Sequence, residues 1–365
     1  MSERKATRLR TERRRRLFEA MTAHDLDALV LSRPADVLSA TGARQLWIAG
    51  TRPVGPACVL VRSTGRTHLL SVSDDGVPAE IAHDDLVAPT WNPANMVTSL
   101  RTIPGLPDAR RIGTGSLSAG LTSLLSAIAP DASVVDGRPA IRAARATKTA
   151  DELAYITAAI AVAESGLAAM LDALRPGITE RELLGVYLER IASLGAPTPP
   201  TESVVCVTPA SGPVALRRLA TDRPVAAGEL VVLDAGGIVA GYEGGLGRTS
   251  VAGSAPTSAQ RELAARCRGA LDTVAAACRA GATGGDVRRA WAATGEAMPP
   301  VPLVHGVGLG MEPPVIGAGV GDDAALMAGS VLSVTSWVAV EGVGGFLERD
   351  LLLVGEGAPE VLSRT

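Results

Sequence analysis

Aromatic side chains are almost missing from this chain: of 365 residues, two are Phe, three are Tyr and four are Trp. The interior must therefore be filled by Ala, Val and Leu, in a chain long enough for two domains. Histidine is nearly as scarce, and His305 is the only one beyond residue 83. The four cysteines, Cys58, Cys206, Cys267 and Cys278, lack metal or redox spacing and read as small buried hydrophobes. Neither sign of charge dominates; the formal net charge of −3 leaves no footprint for nucleic acid or an anionic membrane. The run Arg13–Arg16 is flanked by Glu12 and Glu19 and reads as a solvated helix face. No apolar run approaches the roughly 18 residues of a membrane span, and the basic N-terminus lacks the apolar core of a signal peptide. A cytoplasmic location is expected.

Residues 1–145 alternate short apolar runs with helical segments. Residues 27–31, 57–61 and 68–72 read as buried strands, so a mixed or parallel sheet with helices on its faces is expected. The second region opens on Thr149-Ala150-Asp151-Glu152, a capping box in which hydroxyl and carboxylate each satisfy an orphan backbone N–H. Ile156, Ile160, Ala163, Leu167 and Met170 then recur at helical spacing, and Pro176-Gly177 ends the helix. Thr179-Glu180-Arg181-Glu182 opens a second helix. The unit then repeats: Thr257-Ser258-Ala259-Gln260 opens another helix, and Arg279-Ala280-Gly281-Ala282-Thr283 echoes Arg175-Pro176-Gly177-Ile178-Thr179. The strand 227–234 matches 328–335, which makes Asp234 the counterpart of Thr335. A duplicated helix-helix-strand unit implies pseudo-twofold symmetry, with a site in the crevice between halves.

Lys148-Thr149-Ala150-Asp151-Glu152-Leu153, the Arg175-to-Glu180 turn, Gly241-Tyr242, Arg248-Thr249 and His305-Gly306-Val307-Gly308-Leu309 resemble the creatinase/Xaa-Pro aminopeptidase family. The resemblance covers essentially the whole chain. It implies an α/β fold: a creatinase-type N-terminal α/β domain at 1–145, then a pseudo-twofold α+β pita-bread domain at 146–365. It also implies a homodimer, with Trp47 and Thr51-Arg52-Pro53 as candidate contacts. The family's peptidases bind two divalent metals through two Asp, one His and two Glu. Carried over by position, the first Asp is Asp234 and the His is His305. The second Asp falls on Gly245, and the two Glu fall on Thr335 and Arg349. Two further family His positions fall on Met311 and near Arg217. Glu348 is one step off, and a one-residue shift in a strand turns a side chain to the other face; Glu243 and Glu312 also read as out of register.

A pair of divalent ions needs several oxygen ligands, and a guanidinium at Arg349 would repel them. The expectation is therefore no metal and no cofactor. Creatinase, a member of the family, hydrolyses a C–N bond without metal through a His, and His305 is the matching base. The expected function is a metal-independent hydrolase or lyase of the creatinase type. Its catalytic residues would be His305 and Asp234. Arg217, Tyr242, Arg248, Glu312 and Arg349 would bind a small anionic substrate, with no nucleic-acid or membrane partner. The alternatives are a catalytically silent pita-bread binding protein and a divergent Xaa-Pro metallopeptidase holding one metal.

Overall fold

The computed structural model describes residues 3–43, 57–71, 73–90, 92–200, 203–209, 214, 216, 219–319 and 323–363. Arg217, Trp47 and the turn at 51–53 lie outside the described residues. The chain forms two compact units, Met1–Arg145 and Ala146–Thr365.

In the first unit, α1 (Glu3–Ala23), α2 (Pro34–Thr41), α3 (Pro93–Arg101), α4 (Ala119–Ile128) and α5 (Arg138–Arg145) surround one sheet. Its strands are β1 (Ala28–Leu31), β2 (Cys58–Val61), β3 (Arg66–Leu70), β4 (Leu86–Val87), β5 (Arg111–Thr114) and β6 (Ser133–Asp136), in the order β4-β3-β2-β1-β5-β6. β1 pairs antiparallel with β2 and parallel with β5, so the sheet is mixed. Alternation along β1 explains why the sheet is covered on both faces. Leu29 and Leu31 pack with Leu17, Met21, Val37 and Ile141 from α1, α2 and α5; Ala28 and Val30 pack with Leu100, Leu121 and Leu125 from α3 and α4. The third strand begins two residues earlier than its apolar run suggests, because Arg66 and Thr67 pair with Val61 and Leu60. The basic run on α1 is only half solvated: Arg15 pairs with Glu12 in the open, whereas Arg13 is buried and donates to the Leu38 carbonyl at 3.1 Å.

In the second unit, α6 (Ala150–Ala173), α7 (Glu180–Ser193), α8 (Ser258–Ala277) and α9 (Gly284–Ala293) pack against one largely antiparallel sheet. Its strands are β7 (Val204–Thr208), β8 (Leu230–Val239), β9 (Tyr242–Val251), β10 (Val304–Gly308), β11 (Gly310–Ile316), β12 (Val331–Val340), β13 (Gly344–Leu353) and β14 (Glu360–Val361). The order is β11-β10-β12-β13-β9-β8-β7, with β14 on β13. The duplication is literal. Each half has two helices that start in a capping box, at Thr149, Thr179, Thr257 and Thr283, and each has a hairpin of two ten-residue strands, β8–β9 or β12–β13. α6 is long and apolar enough by composition to cross a membrane, which corrects the expectation from apolar runs. Its Ala163, Leu167 and Met170 pack instead into a core with α7 and the helix-facing side of β8, the place of a core helix.

Candidate functional site

The two hairpins lie side by side, and one row of residues runs across four strands. Asp234 of β8 pairs with Gly247 of β9, Gly247 with Arg349 of β13, and Arg349 with Thr335 of β12. Residues directly opposite in register share a face, so the row presents its side chains to one side of the sheet. Gly247 contributes no side chain, and a Cβ there would lie 2.4 Å from Leu347 Cδ2 and 3.2 Å from Arg349 Cβ. Through that gap Arg349 crosses to Asp234, with Nη2 2.8 Å from Oδ2, while its Nε donates to Thr335 Oγ1 at 3.3 Å. Asp234 is buried.

A cavity of about 250 Å³ opens over this row. His305, Ser333, Thr335 and Glu243 supply polar lining beside the Asp234–Arg349 pair; Pro200, Val301, Pro302, Val307 and Leu351 supply apolar wall. His305 Nδ1 lies 3.0 Å from the Gly306 carbonyl. A carbonyl only accepts, so Nδ1 carries the proton and Nε2 is the acceptor. Ser333 pairs with His305 across the ladder; its Oγ is buried and has no hydrogen-bond partner among the described residues. Glu243 shares the face of Gly245 and Gly247, at period two along β9. Burial, and then the like charge of Glu312, push its carboxyl above the ordinary range, with Arg349 pulling the other way.

Burial first, and the Arg349 guanidinium second, lower His305 from 6.5 to about 4, so the imidazole is neutral near pH 7. Above pH 6.5 it is neutral in both folded and unfolded chains. Between pH 6.5 and about 4 only the unfolded chain takes the proton, so stability falls as the pH falls. The loss through this one group amounts to at most about 3 kcal/mol. Urea unfolding near pH 7 and near pH 4.5 should show a smaller acid loss in His305→Gln than in the wild type. Equal losses would refute the assignment.

Of the residues expected to line the site, Asp234, His305 and Arg349 are brought together. Three others are not. Tyr242 is buried, stacks on Tyr155 with ring centroids 5.7 Å apart and donates to Glu152 Oε1 at 2.9 Å. Arg248 points to the helix-facing side. There it donates to the Arg349 carbonyl at 2.8 Å and to Asp350 Oδ1 at 2.7 Å, beside a second cavity where Arg268 also pairs with Asp350. Glu312 is held by Lys148 Nζ at 2.7 Å and by the Leu309 N–H at 3.1 Å. That carboxylate explains Gly308, where a Cβ would lie 2.3 Å from its Oε1, whereas a Cβ on Gly306 would lie 2.5 Å from the Pro313 carbonyl oxygen. Glu348 is on the face opposite the row, paired with Arg268. Glu243 and Ser333 are the additions. Glu243 is two residues from Gly245, so period two places it in the cavity and corrects its out-of-register reading. Ser333 becomes visible only through its pairing with His305.

Of the five metal-ligand positions that the resemblance implies, two fall on Asp234 and His305 and three on Gly245, Thr335 and Arg349. Among the described residues no group of three or more His, Cys, Asp or Glu is arranged to hold a metal ion.

The model for metallopeptidase family M24 matches residues 154–356. This chain belongs to metallopeptidase family M24. Residues 13–147 match the creatinase/prolidase N-terminal domain. The M24 chain is 23% identical to the Xaa-Pro dipeptidase of Pyrococcus horikoshii, over 97% of each chain. It is 27% identical to the Xaa-Pro dipeptidase of Pyrococcus furiosus, over 62% of this chain and 65% of that one. The crystal structure of the Pyrococcus horikoshii prolidase superposes with a TM-score of 0.78 at 20% identity, covering 97% of this chain and 98% of that chain. These relatives overturn the expectation of a metal-independent, creatinase-type hydrolase or lyase for a small anion. They are named for dipeptides, and the family for metallopeptidases. Scattered arginines in the sequence misled that reading, since Arg248 is engaged on the far side of the sheet and Arg349 is neutralised by Asp234.

Proposed function

We propose that this M24 chain recognises Xaa-Pro dipeptides in the crevice over the Asp234–Gly247–Arg349–Thr335 row, and that its metal centre is degenerate. The Arg349–Asp234 ion pair at 2.8 Å carries the reading. A guanidinium is already seated on the carboxylate that two divalent ions would need, and neither Gly245 nor Thr335 replaces the missing negative charge. The residues do not fit a metal pair, and no step is derived through one.

What the row offers instead is recognition. Arg349 has five N–H donors. Nη2 faces Asp234 and Nε faces Thr335, which leaves donors on Nη1 for a carbonyl or carboxylate of the ligand. His305 Nε2 is available as an acceptor, and Pro200, Val301 and Pro302 form a wall suited to a pyrrolidine ring. A cavity of about 250 Å³ lies just below the usual pocket range of about 300–1,000 Å³, in keeping with a ligand of two residues. We also read the protein as a cytoplasmic homodimer: its four free, buried thiols suit a reducing compartment, and sedimentation would test the dimer.

A second reading, a metal-dependent Xaa-Pro dipeptidase, is favoured by family membership and by the retention of Asp234 and His305. One experiment separates the two. Chelator-treated protein is titrated with alanyl-proline by calorimetry, and free proline is then measured with and without Mn²⁺. Binding without metal and no proline release is the expected result. Manganese-dependent release of proline would install the second reading, and absence of binding would remove the first.

A further inference from the structure

Two carboxylates line the cavity, Asp234 and Glu243, and they stand in opposite circumstances. Asp234 is engaged by Arg349. Glu243 makes no hydrogen bond or ion pair among the described residues, although much of its side chain is removed from water; the like charge that acts on it, Glu312, is held by Lys148. A carboxylate in such a place is costly unless a cation is brought to it. Solvent reaches it through the crevice, so the cation can arrive with a ligand. Its position on the row side of β9, two residues from Gly245, keeps the approach clear, because Gly245 presents no side chain between Glu243 and the row. Arg349, in the same lining, carries the opposite charge and favours the ionised form of Glu243. The Asp234–Arg349 pair is neutral as a whole, so Glu243 is the charge in this lining that a ligand's cation can complement, while Arg349 offers its remaining N–H donors to the ligand's carbonyl end. The buried Ser333 Oγ, without a partner among the described residues, is a second polar group in the same lining.

We propose that Glu243 anchors the free α-ammonium group of the bound dipeptide, so that the crevice selects ligands with an unblocked amino terminus and seats them with their carbonyl end toward Arg349. This assignment rests on the dipeptide reading above and adds its polarity. Glu243 is a specificity residue in this scheme. A charge-assisted contact of this kind predicts a discrimination of at least about tenfold.

The test compares alanyl-proline with N-acetyl-alanyl-proline by calorimetry, on the full chain and on Glu243→Gln and Glu243→Asp. In the wild type, acetylation should weaken binding by about tenfold or more. In Glu243→Gln the free dipeptide should weaken by a similar factor while the acetylated one is unchanged, bringing the ratio near one; Glu243→Asp should recover part of it. Unchanged binding of the acetylated ligand also shows that the variant is folded. Two results overturn the assignment while leaving the dipeptide reading intact: equal binding of both ligands by the wild type, or an undiminished ratio in Glu243→Gln. Failure of the wild type to bind either ligand overturns both.

Discussion

Arg349→Ala is expected to lower the stability of the second unit by about 3 kcal/mol, the low end of the range for breaking a buried ion pair. Asp234 is almost wholly buried and would lose the guanidinium that faces it at 2.8 Å. Arg349 keeps some solvent contact, which is why the low end applies. Urea unfolding at neutral pH measures the loss; a change under about 0.5 kcal/mol, the scale of an ordinary surface substitution, would mean that the pair contributes nothing. A larger effect is expected when the charge of the row is reversed as well as removed. The triple variant Arg349→Glu, Gly245→Asp, Thr335→Glu would gather four carboxylates, with Asp234, beside His305. Such a set is strongly self-repelling without a cation and is the oxygen-rich donor set that Mn²⁺ prefers. A Cβ on Gly245 would lie 3.1 Å from the Ala235 carbonyl oxygen, so the strand must yield by a few tenths of an ångström. After dialysis against Mn²⁺ and removal of free ion, elemental analysis should find metal on the triple variant and none on the wild type. Stoichiometric manganese on the wild type would end the argument for a degenerate centre.

Glu312→Gln should cost about 3–5 kcal/mol, because it leaves the Lys148 ammonium buried beside a neutral amide. The pair lies 2.7 Å apart with both side chains under 10% exposed. It joins the residue before the N-cap of α6 to β11, 164 positions later. Lys148→Met alone should cost a comparable amount, and combining the two should recover most of the loss, since an uncharged pair needs no counterion. A double-mutant cycle from urea unfolding gives the coupling directly. Simple additivity of the two losses would show that the ion pair is not the interaction responsible.

Much of the second unit was legible because its signals are local. A Thr followed three residues later by Glu, Gln or Asp marks the start of each of four helices, and the apolar spacing of α6 and α7 identifies their buried faces. Period two was enough to send Glu348 away from the row, and the same rule could have placed three other side chains. Tyr242 and Arg248 each lie three residues from Gly245 and so face the helices, while Glu243 lies two away and faces the crevice. Arg349 could be named from its position in the motif, but the path of its side chain could not: the contact with Asp234 passes over a glycine where β13 lies against β9 in one register. Lys148–Glu312 is beyond sequence reasoning for the same cause, since nothing local announces a partner so distant.

The hairpin β9 and the hairpin strand β13 meet in register only where Gly247 faces Arg349, among the described residues. Side chains supply what the backbone does not. Thr249 Oγ1 donates to the Leu347 carbonyl at 3.0 Å and accepts from its N–H at 2.8 Å, and Arg248 reaches the Arg349 carbonyl. The consecutive Arg and Thr are therefore a fastening along the dyad, where a single ladder pair joins the two long hairpins among the described residues. Bending one repeat against the other would strain that fastening before it disturbed either hairpin, and the amides of Leu347 and Arg349 would report the bend in hydrogen exchange. Whatever settles over Arg349 therefore rests where the two repeats are joined, and its arrival is felt on both sides at once.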